Sequence, residues 1–357
     1  MMLKPPALLF GVPIDDLTMA TTLDLVAELV ERGRADDRVH QIATVNVDFV
    51  VNALFQNDLG DVLRRSDTNL ADGMPIVWAA AAAGMPVAER VAGSDLVPLL
   101  AERGEREGWR IHCFGSSPDV SARAIDLLRS RHPGLDITAE SGPQMSDVRD
   151  IDDSVLDDIA ARNADILCVA LGNPKQERFI AAHRARLGNP VMIGIGGSLD
   201  MLVGHRRRAP EWMCRAGLEW AYRAGQEPGR LGRRYARDAR VFGPRAARHI
   251  RIARRTHGGS GLSFTVGEAV AVTGAPTVRR AAEWQLAAEA IAQSRPLEID
   301  LAGLAELDIR AVAQLAGLVR VARRAQQPHA LVNVGRALAQ YAMATQSEEW
   351  ICEMTEN

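Results

Sequence analysis

The chain has 357 residues, 47% of them hydrophobic and 24% charged, with a formal net charge of -3. That is room for two domains with separate cores in an ordinary globular protein, and four widely spaced cysteines without a CxxC pair exclude a zinc ribbon or a disulfide framework. The overall charge selects no partner, but its distribution is uneven: fifteen arginines stand against four acids between Gly204 and Arg255.

Met1–Phe10 holds one lysine and a short apolar run broken by two prolines. It is too short for a signal peptide, and no later apolar stretch is long enough to span a bilayer, so a cytoplasmic location is expected. Apolar β-type runs follow at Gln41–Val45, Thr68–Ala71, Arg110–Phe114, Leu135–Ala139, Asp165–Leu171 and Val191–Ile195. Helical patterns lie between them, among them Ser117–Arg131, Ser154–Asn163 and Lys175–Leu187. Continuous apolar strands separated by helices predict a parallel sheet covered on both faces. Cys113 and Cys168 fall inside these runs and read as small core residues.

Beyond the sheet, Pro210–Gly225 reads as an amphipathic helix with proline near its first turn, and Trp212, Trp220, Tyr222 and Tyr235 are scattered among the arginines. A Gly/Ser-rich linker at His257–Gly261 precedes a smaller unit. Its predicted strands are Ser263–Val266, Ala269–Thr273, Pro296–Leu301 and His329–Asn333, and its predicted helices are Thr277–Ser294 and Arg310–Gln326.

Ligands of open parallel sheets bind outside the carboxyl ends of the strands, so the residues just after each strand are the candidates for chemistry. Thr44 and Asn46 offer short polar groups suited to a sugar or phosphate, or to capping a helix. Asp72 stands at a strand tip before Gly73 and Pro75, placed either to cap the next helix or to take a proton from a bound hydroxyl. Arg90 is suited to holding a phosphate or orienting Asp72, with Ser94 or Asp95 capping the helix behind it. The Gly115–Pro118 turn has amides able to cradle a phosphate. Asn173, Lys175 and Gln176 open another helix, and Gln176 can pair with sugar hydroxyls. Gly194–Asp200 brings glycines and a carboxylate to the last strand end, without the GxGxxG spacing of a dinucleotide site. The string Asp150-Ile151-Asp152 reads as a loop and helix start rather than a metal-diphosphate motif.

Taken in order, TVN (Thr44–Asn46), ADGMP (Ala71–Pro75), ERVAGSD (Glu89–Asp95), GNPKQE (Gly172–Glu177), GGSLD (Gly196–Asp200), RAP (Arg208–Pro210), GLEW (Gly217–Trp220), EPGR (Glu227–Arg230) and RRY (Arg233–Tyr235) resemble the WecG/TagA/CpsF family of bacterial glycosyltransferases over roughly residues 8 to 245. The resemblance implies an inverting, metal-independent transfer from a UDP-sugar, typically UDP-N-acetylmannosamine, to a polyprenyl-diphosphate-linked sugar. It implies Asp72 as general base, with Thr44, Asn46, Arg90, Asn173 and Gln176 positioning donor and acceptor. Asp200 would lie near the uridine, and Arg208, Arg223 and Arg230 would offset the diphosphate charge. Leu199 stands where the family usually has phenylalanine.

The C-terminal stretch is similar to a STAS domain, carried by Leu297–Leu301 and by Leu307-Asp308-Ile309-Arg310 opening a helix; Ile309 replaces the serine of phosphorylated members. The expected α/β architecture is therefore a Rossmann-like glycosyltransferase domain (1–203), a basic helical appendage (204–256) and a small STAS-like domain (262–357). No metal or other cofactor is expected. The expected partners are the UDP-sugar, the lipid-linked acceptor, the inner face of the cell membrane through the Trp/Tyr/Arg appendage, and a protein at the STAS-like domain. Self-association is left open, and nucleic acid is not expected. The rival reading is a regulatory protein working through the STAS-like domain with a vestigial sugar site.

Overall fold

The computed structural model describes residues 4–36, 38–142, 147–205, 209–210, 212–213, 217–256, 261–275, 281–301 and 308–332. A hairpin comes first, β1 (Ala7–Leu9) paired antiparallel with β2 (Val12–Ile14). The chain then alternates as α1 (Met19–Asp36), β3 (His40–Val45), α2 (Val47–Ala53), α3 (Asn57–Arg65), β4 (Thr68–Ala71), α4 (Met74–Ala82) and α5 (Gly93–Glu107). It continues with β5 (Arg110–Gly115), α6 (Pro118–Arg131), β6 (Asp136–Glu140), α7 (Asp153–Ala161), β7 (Ile166–Ala170), α8 (Lys175–Leu187), β8 (Val191–Gly194) and α9 (Ser198–Leu202).

Strands β3 to β8 form one parallel sheet in the order β4-β3-β8-β7-β5-β6. Every residue of β3, β4, β7 and β8 is buried, as continuous apolar runs between two helical layers require. The β4 edge is closed by the hairpin: Asn69 donates through Nδ2 to the Pro13 and Leu63 carbonyls, and the Asp15 amide donates to the Asn69 carbonyl. Cys113 and Cys168 are neighbours across β5 and β7 in the buried interior. Asp152 precedes α7 as its N-cap residue and Ile151 is buried, as a loop and helix start.

The predicted helix over Pro210–Gly225 is corrected. Gly217 takes φ 71° and Leu218 is non-helical, so α10 runs only from Glu219 to Gln226. Gly217 has a second constraint, since a Cβ there would lie 2.7 Å from Met74 Cβ and from Trp78 Cζ2. The chain breaks at this point to press against α4. A π-helical turn (Pro228–Gly232) leads into α11 (Arg233–Thr256), whose inner face buries Asp238, His249, Ala253 and Thr256.

The smaller unit comprises β9 (Gly261–Val266), β10 (Val270–Ala275), α12 (Ala281–Ala292), β11 (Leu297–Asp300), α13 (Ile309–Arg324) and β12 (His329–Val332), with sheet order β12-β11-β10-β9. Only the β9–β10 pair is antiparallel. β11 alternates buried and exposed residues, which marks a sheet covered on one face. Helix α13 is buried at Ile309 and from Ala311 to Ala322, and one hydrophobic core runs from the β1–β2 hairpin through α13 to Trp284. Arg320 secures this contact by pairing with Asp15 (3.0 Å) and donating to the Ser66 carbonyl (2.9 Å). Helix α13 is thus covered by the chain's own N-terminal hairpin. Of the predicted linker His257–Gly261, residues 257–260 lie outside the described residues and Gly261 opens β9.

Candidate active site

The carboxyl ends of β3 and β4 open into a cleft of about 330 Å³, roofed by α10 and α11. Asn46, the first residue after β3, caps α2: its Oδ1 accepts from the Asp48 and Phe49 amides at 3.0 and 3.3 Å. Asn46 also lines the cleft. Asp72 follows β4, held by its backbone N–H on the Val45 carbonyl (2.8 Å). Gly73 then adopts φ 148°, a conformation closed to side-chain-bearing residues, and swings the chain into α4 with Pro75 in its first turn. That turn is why Asp72 faces the cleft rather than capping the helix: the N-cap position belongs to Gly73 and has no side-chain bond.

Burial pushes the Asp72 carboxyl up to about 6. The Arg223 and Arg90 guanidiniums pull it down, while Glu219 and Asp95 push it further up. No described side chain hydrogen-bonds to it, so its oxygens are available to a ligand. Arg90 is fixed between two carboxylates, Nη1 donating to Glu219 (2.9 Å) and Nη2 to Asp95 (2.8 Å). Glu219 also pairs with Arg223 at 3.0 Å. Arg90, Glu219 and Arg223 thus form a charged chain from the strand-end wall to the roof. Asp95 is engaged with Arg90 and does not cap α5, nor does Ser94; Ala92 takes the cap position without a side-chain bond.

The roof is tied down at a second point. Arg237 Nη2 donates to Asp48 (2.6 Å) and Asn52 (3.0 Å) on α2 and to its neighbour Asp238 (2.8 Å). Asn173 Nδ2 completes the Asp48 shell at 3.0 Å. Burial raises the Asp238 carboxyl, Arg237 opposes that, and the nearby Asp48 charge adds to it. Trp220 and Tyr235 meet edge to face, with ring centres 6.2 Å apart.

Of the residues singled out from sequence, Asn46, Asp72, Arg90 and Arg223 share this cleft. The others stand elsewhere. Thr44 is 4% exposed and donates to the Gly194 carbonyl, joining β3 to β8. Gln176, 1% exposed, accepts from the Gly196 amide (2.8 Å) and donates to Glu177 (2.7 Å). Both side chains hold strand ends in place rather than line the cleft. Asn173 reaches it only through Asp48, and Asp200 lies on α9, away from its lining. At the turn after β5, Ser117 caps α6 by accepting from the Val120 amide. Arg208 lies outside the described residues; Arg230 falls in the π-helical turn, with its side chain undescribed.

Asp48, Glu219, Arg234 and Asp238 line the cleft and were missed. Asp238 had one signal, being the sole acid between Pro228 and Arg255. Glu177 is fully buried without a cation, and burial pushes it up to about 8. No helix among the described residues is long and apolar enough to cross a membrane. Nor do three or more His, Cys, Asp or Glu residues among them group as metal ligands.

Residues 7–256 match the glycosyl transferase WecG/TagA/CpsF family. The chain is 34% identical over 192 residues to the N-acetylglucosaminyldiphosphoundecaprenol N-acetyl-beta-D-mannosaminyltransferase of Bacillus spizizenii, covering 54% of this chain and 73% of that protein. The Bacillus subtilis protein of the same name is 35% identical over the same shares. The one from Staphylococcus aureus is 26% identical over 225 residues, 63% of this chain and 86% of that protein.

Proposed function

The chain belongs to the WecG/TagA/CpsF glycosyl transferase family and is an enzyme of that kind, and from this premise we propose that it moves a sugar from a UDP-sugar to a polyprenyl-diphosphate-linked acceptor sugar, with inversion and without a metal. An N-acetylhexosamine such as N-acetylmannosamine is the proposed donor sugar, by likeness to the Bacillus relatives. The observation that carries the mechanism is the unbonded Asp72 carboxyl on the cleft wall, raised to about 6 and flanked by Arg90 and Arg223.

A carboxylate with that affinity is ionised at neutral pH and still basic enough to receive a proton as the acceptor hydroxyl reacts. The hydroxyl oxygen forms its bond to the anomeric carbon from the face opposite UDP. The bond from that carbon to the diphosphate oxygen breaks, and UDP leaves with the electron pair. The acceptor proton ends on Asp72. Arg223, with Arg90 behind it, meets the charge that builds on the leaving oxygen, and Arg208 and Arg230 are proposed to join them. Asn46 is proposed to orient the acceptor through its side-chain amide. Thr44, Asn173 and Gln176 serve the site by fixing strand and helix ends, and Asp200 is kept as the proposed uridine contact.

The exposed arginines of α11 (Arg233, Arg240, Arg248, Arg251, Arg254 and Arg255), together with the exposed Phe55, Trp212 and Trp220, support peripheral binding to an anionic membrane surface. A STAS-like assignment of the smaller unit is supported by its β-β-α-β-α-β order alone.

The test is UDP release by the full chain with a panel of UDP-sugars and a short-chain polyprenyl-diphosphate N-acetylhexosamine, in EDTA. Acceptor-dependent turnover that Asp72→Ala abolishes is the expected result. Undiminished transfer by Asp72→Ala removes the mechanism, and a strict need for added metal removes the charge assignment.

A further inference from the structure

Helix α11 brings two buried, unpartnered polar atoms to residues of the cleft lining: Nε of Arg234 and Oδ2 of Asp238. The two residues are four apart, so they stand on one face of the helix, a turn from each other. Asp238 is 3% exposed. Its other oxygen, Oδ1, accepts from Arg237 Nε (3.0 Å) and Nη2 (2.8 Å), which fixes the plane of the carboxylate. Arg237 is fixed in turn by Asp48 and Asn52. Oδ2 is therefore held rigidly and out of water with nothing to accept from. Buried polar atoms in native proteins almost always have a partner, and one left without it at a cleft points to a ligand.

The two atoms restrict what that ligand is. Arg234 Nε–H is a donor only, and Asp238 Oδ2 is an acceptor when ionised. A phosphate would suit Arg234 but meet Asp238 as a like charge, and a cation would do the reverse. A hydroxyl donates and accepts at once, and carries no charge. Beside it, the half-exposed Trp220 offers ring surface to the C–H face of a pyranose, while the Tyr235 ring is stacked by Arg234 and steadies it. The phosphates are better served across the cleft, where Arg90 and Arg223 flank Asp72.

Resting on the transferase reading above, in which Asp72 takes the proton of the attacking hydroxyl, we infer that Asp238 binds the acceptor sugar, its Oδ2 accepting from a second hydroxyl that itself accepts from Arg234 Nε. The sugar is then held from both walls, by the reacting hydroxyl at Asp72 and by a non-reacting one at Asp238. Two-point attachment selects which hydroxyl reaches the base, so Asp238 determines acceptor specificity rather than the chemical step.

The experiment measures acceptor-dependent UDP release by the full-length wild type and by Asp238→Asn, using the polyprenyl-diphosphate N-acetylhexosamine and its monodeoxy analogues. Asparagine keeps the volume and one acceptor for Arg237 but replaces Oδ2 with a donor. The acceptor KM is expected to rise about tenfold in the variant, as for loss of one hydrogen bond to a charged group, with kcat and the donor KM nearly unchanged. One deoxy analogue should show the same loss with wild type and no additional loss with Asp238→Asn, since both remove the same bond. An unchanged acceptor KM, or losses that add for every analogue, overturns the inference while leaving the transferase reading intact. Equal loss of UDP affinity in the variant, by calorimetry, overturns it too, because a misassembled cleft and not a missing sugar contact would then be the cause. Wild type that binds UDP but turns over no donor with any acceptor brings down the transferase reading itself, and is recognised before any variant is made.

Discussion

Asn46 and Asp72 stand at the ends of strands whose every residue is buried, whereas Arg234, Tyr235 and Asp238 stand on a helix whose outer face is exposed arginine. The first wall is positioned by parallel ladder hydrogen bonds and by close packing, both of which tolerate little displacement. The second is positioned by polar ties, chiefly Arg237 on Asp48 and Asn52 and the Arg90–Glu219–Arg223 chain, and by Phe242, Ala246, Ile250 and Ala253 packing on the core farther along α11. Partly exposed ion pairs contribute modestly each. The proposed base therefore sits on the ladder-bonded wall, and the groups proposed to receive the acceptor sit on the helical wall with its exposed arginine face.

The largest effect should come from the rigid wall. Asp72→Asn keeps the shape and removes the base, and acceptor-dependent turnover should fall by about 10²–10⁴; calorimetry should find UDP affinity retained. Loss of UDP binding along with turnover would mean that Asp72 holds the fold and not the proton.

Next comes the buried tie between the hairpin and the smaller unit. Arg320→Ala takes the cation from Asp15 and the donor from the Ser66 carbonyl while the Asn69 amide still donates to Asp15, at a cost of about 3 kcal/mol. Chemical denaturation should read that loss. A loss below about 1 kcal/mol would mean that apolar burial along α13 alone holds the unit in place.

The helical wall should respond more mildly. Arg237→Ala should lower kcat/KM for the acceptor about tenfold while costing about 1–3 kcal/mol of stability, because Arg237 is half exposed but the Asp48 and Asp238 carboxylates it serves are buried. Hydrogen exchange should quicken in residues 233–243 and not in β3 or β4. Equal quickening on both sides would erase the difference between the walls.

The smallest effects are those of pH. Because burial raises Asp72 to about 6, kcat/KM should fall roughly tenfold per unit below pH 6. Glu177 separates stability from catalysis. Its folded-state value of about 8 lies above the ordinary 4.5, so between those values the folded chain binds more protons than the unfolded one, and stability declines as pH rises through that window. Thermal unfolding of wild type should show this decline toward pH 9, and Glu177→Gln, permanently neutral, should not follow it. Parallel curves would place the pH dependence elsewhere.

Much of the rigid wall was legible from residue pattern. Thr68–Ala71 and Lys175–Leu187 are found at their predicted bounds, and the strand-end rule led to Asn46 and Asp72. The same rule overreached at Thr44 and Gln176. A polar residue at a strand end looks alike whether it meets a ligand or a backbone carbonyl, and only the neighbouring strand reveals which. The helical wall was legible as charge but not as structure. Periodicity ran through Gly217, where contact with Met74 and Trp78 breaks the helix, and nothing local joined Arg237 and Asp238 to Asp48.

The sequence by itself determined the alternating parallel sheet, the carboxylate at the end of β4 and the basic character of the roof, because apolar periodicity, turn residues and charge are properties of short segments. The tertiary structure decided which polar groups share a cleft, which carboxylates are desolvated, and that the smaller unit buries its helix against the first hairpin. Desolvation and pairing depend on atoms brought together from distant parts of the chain, as Arg237 is to Asp48 and Arg320 to Asp15, and no short segment carries that information.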